Sequence, residues 1–362
     1  MKTFVGEGQG SISVALEKAT AGLANPSGII FYAPYEEIGE AAAYLWQKYP
    51  GVPTIGTIGT KFVNGSIGDK NVAVTAFFQD AKIGGGIVKE LDACPIASIA
   101  EITEQLKAVQ PGNEDTVCIE FCTNDEERLV TTMNAAFGSR NISLVGGTAF
   151  GAPEGKKAVV ACNGQIYENA CAYIFIKNTT GKVKVFKENI YEKRSNVSHY
   201  ATKVDVKKKS LIEIDNQPAA AVYSREVGVP REKIVDNVFK NPIGRSVGDE
   251  VYISSMMALG ANGELINYKR INKNDCIYFL ELGDFKESEV RTRNLISSEM
   301  KHISLVFSVD CIYRYLLYGQ EHYVDEYAKG MASLGAHVGI VGGGEQFNNQ
   351  HVNQTMVCAV FE

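Results

Sequence analysis

Ile29-Ile30-Phe31-Tyr32-Ala33 is an unbroken apolar run. A stretch with apolar residues at helical spacing follows from Glu36 to Lys48, then Ile55-Gly56-Thr57-Ile58-Gly59-Thr60, then Val72-Ala73-Val74-Thr75-Ala76-Phe77-Phe78. β-Branched and aromatic side chains suit a pleated surface, whereas Ala, Leu, Glu and Lys suit a helix, so the order reads strand, helix, short strand, glycine turn, strand. Two strands joined by a helix lie parallel in one sheet through a right-handed crossover.

The order recurs. Val117-Cys118-Ile119-Glu120-Phe121-Cys122 opens a second unit, with a helical stretch from Asp125 to Phe137, a turn at Leu144-Val145-Gly146-Gly147-Thr148 and a closing run Cys171-Ala172-Tyr173-Ile174-Phe175-Ile176. A third runs from Leu305-Val306-Phe307 through a longer helical stretch to Ile340-Val341-Gly342-Gly343-Gly344 and Met356-Val357-Cys358-Ala359-Val360-Phe361. A fixed order repeated three times predicts an α/β fold with mixed sheets in two tandem domains. The polar, Lys-rich stretch from Lys177 to Lys209 marks the expected boundary, near Asn196, giving domains of residues 1–195 and 196–362. The C-terminal domain then holds one unit plus a β-rich insertion, in which Asn262-Gly263 between apolar runs predicts a hairpin. Two domains also suit 362 residues, since one core stops growing near about 250–300.

Composition narrows the function. With 45% hydrophobic and 22% charged residues the chain can fold unaided, and a formal charge of −6 repels phosphate backbones and anionic lipid. Nucleic acid is therefore not an expected partner. No run of about 18 apolar residues spans a bilayer, and Met1 to Gly10 lacks the apolar core of a signal peptide, so no membrane insertion and a cytoplasmic location are expected. The 8 cysteines are scattered singly, which predicts reduced thiols instead of a disulfide framework.

Motifs of common chemistries are weak or missing. Gly6, Gly8 and Gly10 precede a helical segment without the spacing of a dinucleotide fingerprint, and Gly151 to Lys157 lacks the Ser or Thr that ends a phosphate loop. Cys118 and Cys122 share one face of a strand, but no His pair or Cys-x-x-Cys supports a metal, so buried small side chains are the better reading. No cofactor is expected. Cys311, at a helix start beside Arg314, is the one suggestive thiol.

The glycine turns carry more. Each lies where a strand leaves the sheet, the place where open α/β sheets hold ligands, and glycine lets backbone amides approach a bound group. This makes Thr57, Gly59, Thr60, Gly146, Gly147, Thr148, Gly343 and Gly344 candidate ligand-binding residues. Glu345, Asn353 and Thr355 add polar groups that need partners once buried, with Glu345 suited to an ammonium. Arg314 either pairs with a ligand carboxylate through its planar fork or bridges to Asp310. The plain alternative is that glycines fit turns needing positive φ.

These residues resemble the FIST family, sensory modules built of an N-terminal and a C-terminal FIST domain. The resemblance rests on Ile55 to Thr60 with Val74-Thr75-Ala76-Phe77, on Val145-Gly146-Gly147-Thr148-Ala149, on Asp310-Cys311-Ile312-Tyr313-Arg314, and on Gly342-Gly343-Gly344-Glu345-Gln346 with His351-Val352-Asn353-Gln354-Thr355. It implies binding of a small polar ligand such as an amino acid. It also implies signalling to histidine kinase, chemoreceptor or cyclic-di-nucleotide output modules. Two domains use up the residues, so a stand-alone member is expected, acting through a separate signalling protein. An enzyme using Cys311 or Glu345 and a ligand-independent scaffold remain the alternatives.

Overall fold

The computed structural model describes residues 1–138, 140–248 and 250–362. Its contacts divide the chain into a first unit of Met1–Lys187, Arg291–His351 and Met356–Glu362 and a second of Glu188–Val290 and Val352–Thr355. The first division lies between Lys187 and Glu188. The segments after Arg291, however, group with the N-terminal part, where a division into 1–195 and 196–362 would separate them.

Pairing in the first unit explains why. Three six-stranded mixed sheets share one plan. In the first sheet, Gly28–Ala33 and Thr54–Ile58 run parallel and are joined by the helix Ile38–Lys48; Val72–Phe77 lies antiparallel to Gly28–Ala33, with Thr3–Gly8 outside it. The second has Thr116–Cys122 parallel to Ser143–Thr148, joined by the helix Glu126–Phe137, then Ala170–Asn178 and Ala81–Lys89. The third has Leu305–Cys311 parallel to His337–Gly342, then Thr355–Phe361 and Val183–Asn189.

Every sheet is completed by a hairpin from another. Lys61–Val63 leaves the first sheet to pair with His337–Gly342, Val160–Cys162 leaves the second to pair with Thr54–Ile58, and Glu345–Phe347 leaves the third to pair with Ser143–Thr148. Asn64 (φ 46°) with Gly65 (φ 88°), and Asn163 (φ 47°) with Gly164 (φ 83°), supply the two positive φ angles of tight primed turns. This cyclic exchange ties residues 337–347 to strands about 200 to 280 positions away, so no single cut separates the three sheets.

The central strands are buried on both faces, which is why they read as continuous apolar runs. On one face of the second sheet Cys118, Cys122, Cys171, Tyr173 and Phe175 pack against Ile102, Leu106, Leu129, Met133 and Phe137 of two helices. On the other, Phe121 makes ring contacts with Tyr32 (5.9 Å) and Phe307 (6.1 Å), one from each neighbouring sheet.

In the second unit seven strands follow the order Glu250–Ser254, Ile243–Val247, Cys276–Leu282, His199–Asp205, Ser210–Ile214, Leu265–Asn267, Met256–Leu259. Only Ser255 separates the first strand from the last, so the chain itself joins the two edge strands of the sheet at one end. Asn262-Gly263 does form the expected hairpin between Met256–Leu259 and Leu265–Asn267. The Lys-rich stretch expected to mark the boundary is mostly strand: Val183–Asn189, Tyr191–Lys193 and His199–Asp205.

Candidate functional site

The three glycine turns meet within the first unit, chiefly on one another. Val341 N donates to Thr60 O (2.9 Å), Gly343 N to Thr148 O (2.9 Å) and Thr148 N to Gly344 O (3.0 Å). Gly59, at φ 120°, would place a Cβ 2.6 Å from the Phe150 carbonyl, so close backbone contact inside the protein already requires glycine there.

The other expected residues are buried and mostly engaged. Thr57 is fully buried, with its hydroxyl lacking a hydrogen-bond partner. Glu345 lies on the hairpin strand opposite Gly147 and is fully buried. Cys311 is the N-cap residue of the helix Ile312–Gln320 and is 2% exposed. Arg314 sits with Nε 3.2 Å from Asp310 Oδ1 and its guanidinium over the rings of Tyr318 (4.8 Å) and Tyr327 (5.3 Å), while Tyr327 Oη donates to Asp310 Oδ2 (2.8 Å). Of its two readings, the bridge to Asp310 is the one observed. Asn353 and Thr355 belong to the second unit, where Asn353 Oδ1 accepts from Ser255 N (3.2 Å) at the bend that joins the sheet edges. Gln354 beside it accepts from Ser255 Oγ (2.7 Å) and donates to Tyr191 Oη (2.7 Å).

Gly146 has a second reason to be glycine: its missing side chain leaves the space taken by the Glu120 carboxylate. Glu120 is fully buried in the middle of an apolar strand, and burial pushes its carboxyl up to about 8, with Glu126 adding to the rise. Cys171 Sγ donates to its Oε2 (3.2 Å), and Oε1 has no hydrogen-bond partner. Thr148 Oγ1 donates to Glu126 Oε1 (3.1 Å), lies 3.7 Å from Cys122 Sγ and accepts from Gln346 Nε2 (3.3 Å). A buried polar cluster thus links the second glycine turn to the first turn of the helix Glu126–Phe137.

Above this cluster, where the strand Thr116–Cys122 ends, is an open cleft of about 270 Å³ lined by Asp92, Thr123, Asn124, Lys157, Ala158 and Asn169. It lies at the carboxyl end of a parallel strand. Asn169 Nδ2 donates to Asp92 Oδ1 (2.6 Å), Asn124 Nδ2 to Asn169 Oδ1 (3.0 Å), and Thr123 Oγ1 to Asn124 Oδ1 (2.6 Å), which preorganises the rim. Lys157 Nζ reaches Glu168 (3.3 Å) with both side chains largely in solvent, so that pair is weak and the ammonium stays available to an anion. Lys157 and Ala158 belong to the connection 149–159 between Ser143–Thr148 and Val160–Cys162; the matching connections in the other sheets span only residues 59–60 and 343–344. The sequence reading missed all six lining residues. Thr123-Asn124-Asp125 directly after an apolar strand, and the length of 149–159, were the available signals.

Among the described residues no group of three or more His, Cys, Asp or Glu side chains is placed to hold a metal ion. Nor is any helix long and apolar enough to cross a membrane. Comparison with protein families matches the FIST N domain to residues 27–217 and the FIST C domain to residues 219–348. The search of curated proteins found no match.

Proposed function

The chain belongs to the FIST family, and from that premise we propose that it is a cytoplasmic sensory protein whose cleft beyond Cys122 takes a small zwitterion such as a free amino acid. FIST domains are generally described as small-ligand sensors in signal transduction. The observation that carries the ligand reading is the cleft itself: it sits at a strand's carboxyl end and is walled by the one long connection among three otherwise matching ones. Its chemistry suits a zwitterion. The Asp92 carboxylate faces an ammonium, Lys157 a carboxylate, and Thr123, Asn124 and Asn169 supply hydrogen bonds. A volume of about 270 Å³ is below the range of about 300–1,000 Å³ typical of drug-sized ligands, which favours a small metabolite.

Of the turn residues, Thr148 stands nearest in this reading. Ala149 N donates to Cys122 O (2.7 Å), and the Thr148 hydroxyl bonds Glu126 at the start of the helix that begins beside the cleft. Ligand would bias this helix start, and through Thr148 the joined turns at Thr60, Gly343 and Gly344, toward the arrangement read by a separate signalling protein. The test is a thermal-shift screen of free amino acids and related metabolites at millimolar concentration. Binding to the folded state alone raises the midpoint, by about 2.7 kcal/mol of stabilisation at a hundredfold excess over Kd. Asp92→Asn and Lys157→Ala should each reduce the shift without lowering the ligand-free midpoint. A midpoint that no such compound moves refutes the ligand assignment.

A further inference from the structure

Beneath the cleft, Cys122 and Cys171 stand directly opposite each other on the antiparallel strands Thr116–Cys122 and Ala170–Asn178. The hydrogen bonds at both ends of this ladder define what kind of pair they form. Thr123 N donates to Ala170 O (3.0 Å) and Asn178 N to Asp115 O (2.8 Å). Hydrogen-bonded pairs therefore fall at the odd positions of the first strand, and Cys122 with Cys171 is a non-hydrogen-bonded pair, whose Cα atoms lie about 4.5 Å apart. That separation is inside the range of about 4.4–6.8 Å bridged by a disulfide. Both side chains also point to the same face, since Cys171 Sγ reaches Glu120 Oε2 while Cys122, two residues from Glu120, reaches Thr148 Oγ1. Among the 8 cysteines no other two are opposed in the described strand pairs: Cys118 faces Phe175, Cys162 faces Ile55 and Gln165, Cys276 faces Tyr200, Cys311 faces Gly342 and Cys358 faces Ser308.

We propose that Cys122 and Cys171 are a dithiol modification site, converted to a disulfide by a peroxide, with Glu120 as the proton acceptor. In the first step, in molecules whose Glu120 is ionised, Cys171 sulfur attacks one peroxide oxygen, its proton passes to the Glu120 carboxylate, the O–O bond breaks, and Glu120 returns that proton to the departing hydroxide, leaving a sulfenic acid and water. The Cys122 thiol then attacks that sulfur, closing the disulfide and releasing a second water. Overall two thiols and one hydrogen peroxide give one disulfide and two waters. Burial raises both thiols well above their ordinary range, so reaction runs through the fraction of molecules in which Glu120 is ionised, a fraction that grows as pH approaches about 8, and needs a small oxidant. Both cysteines are fully buried, so the oxidant enters only when the strand ends open locally, beside the cleft whose residues Thr123, Asn124 and Asn169 lie within two positions of the cysteines along the chain. Oxidation would strip Glu120 of its thiol donor and disturb Thr148 where it meets Cys122, altering the cleft floor. The inference does not depend on what the cleft binds.

Peptide mapping of the native protein tests it. The protein is exposed to millimolar hydrogen peroxide, remaining thiols are blocked with a maleimide, and the digest is read by mass spectrometry without reduction. The expected product is one peptide pair linked through Cys122 and Cys171, formed with loss of two thiols and reversed by dithiothreitol. A Cys94→Ser background removes the exposed thiol as a competitor. Glu120→Gln should slow formation of the linked pair by at least about tenfold, the scale of a lost proton acceptor. Oxidation confined to Cys94, mixed products, or a link appearing only after denaturation would overturn the site. An unchanged rate in Glu120→Gln would overturn the role given to Glu120.

Discussion

Glu120→Gln offers a sharp test of the buried core beneath the cleft. A carboxyl whose ordinary value is 4.5 and whose folded value is about 8 binds its proton more tightly in the native state. Its favourable contribution is therefore complete below about pH 4.5, erodes as pH rises, and is gone above about pH 8. At about 1.36 kcal/mol for each pH unit, holding Glu120 neutral costs about 3 kcal/mol of stability at about pH 7. Glutamine is nearly isosteric, keeps a carbonyl oxygen for Cys171 and cannot ionise, so it escapes this cost. The assay is urea unfolding of both proteins across about pH 5 to 8, monitored by fluorescence. The variant should gain on the parent steadily over that range, by about 3 kcal/mol or more in total, whatever the offset at acid pH. Two stability profiles that run parallel would show that Glu120 is ionised in the native protein and that the account of its burial is wrong.

Two other perturbations bear on the same unit. His337 is fully buried against Ser308 Oγ (2.9 Å), and burial lowers it from 6.5 to about 3. The unfolded chain takes up that proton first, so stability should fall as pH drops from about 6.5 to about 3, by up to about 5 kcal/mol, and His337→Gln should flatten this part of an acid-unfolding profile. Arg314→Met leaves Asp310 buried opposite an apolar side chain and should destabilise by about 3–5 kcal/mol in urea unfolding; Asp310→Asn added to it should recover part of the loss.

Much of the architecture was legible because its signals are local. Apolar runs at 29–33, 117–122 and 305–307 mark strands buried on both faces, and the helical stretches between them are long enough to enforce parallel crossover. Glu120 was legible too, as the single acid inside Val117 to Cys122, although the reading passed over it. The Asn-Gly pair at 262–263 announced its hairpin, and the same signal stood unread at 64–65 and 163–164.

What those hairpins pair with was not legible. A turn sequence specifies that two short strands come together, but which third strand they join depends on which edge is open in space, and Lys61–Val63 finds its partner at His337–Gly342. The same holds for the site. Polar residues near a glycine turn can satisfy a ligand or the protein itself, and Arg314 beside Asp310 and Asn353 beside Ser255 show the second outcome. Asp92, Asn124, Lys157 and Asn169 carry no common motif; four separate loops bring them to one strand end. Sequence alone determined the strands, helices and turns, because backbone sterics and hydrophobic periodicity act over a few residues. Tertiary structure decided edge pairing, unit membership and the cleft, because these depend on contacts between residues tens to hundreds of positions apart, which no local pattern encodes.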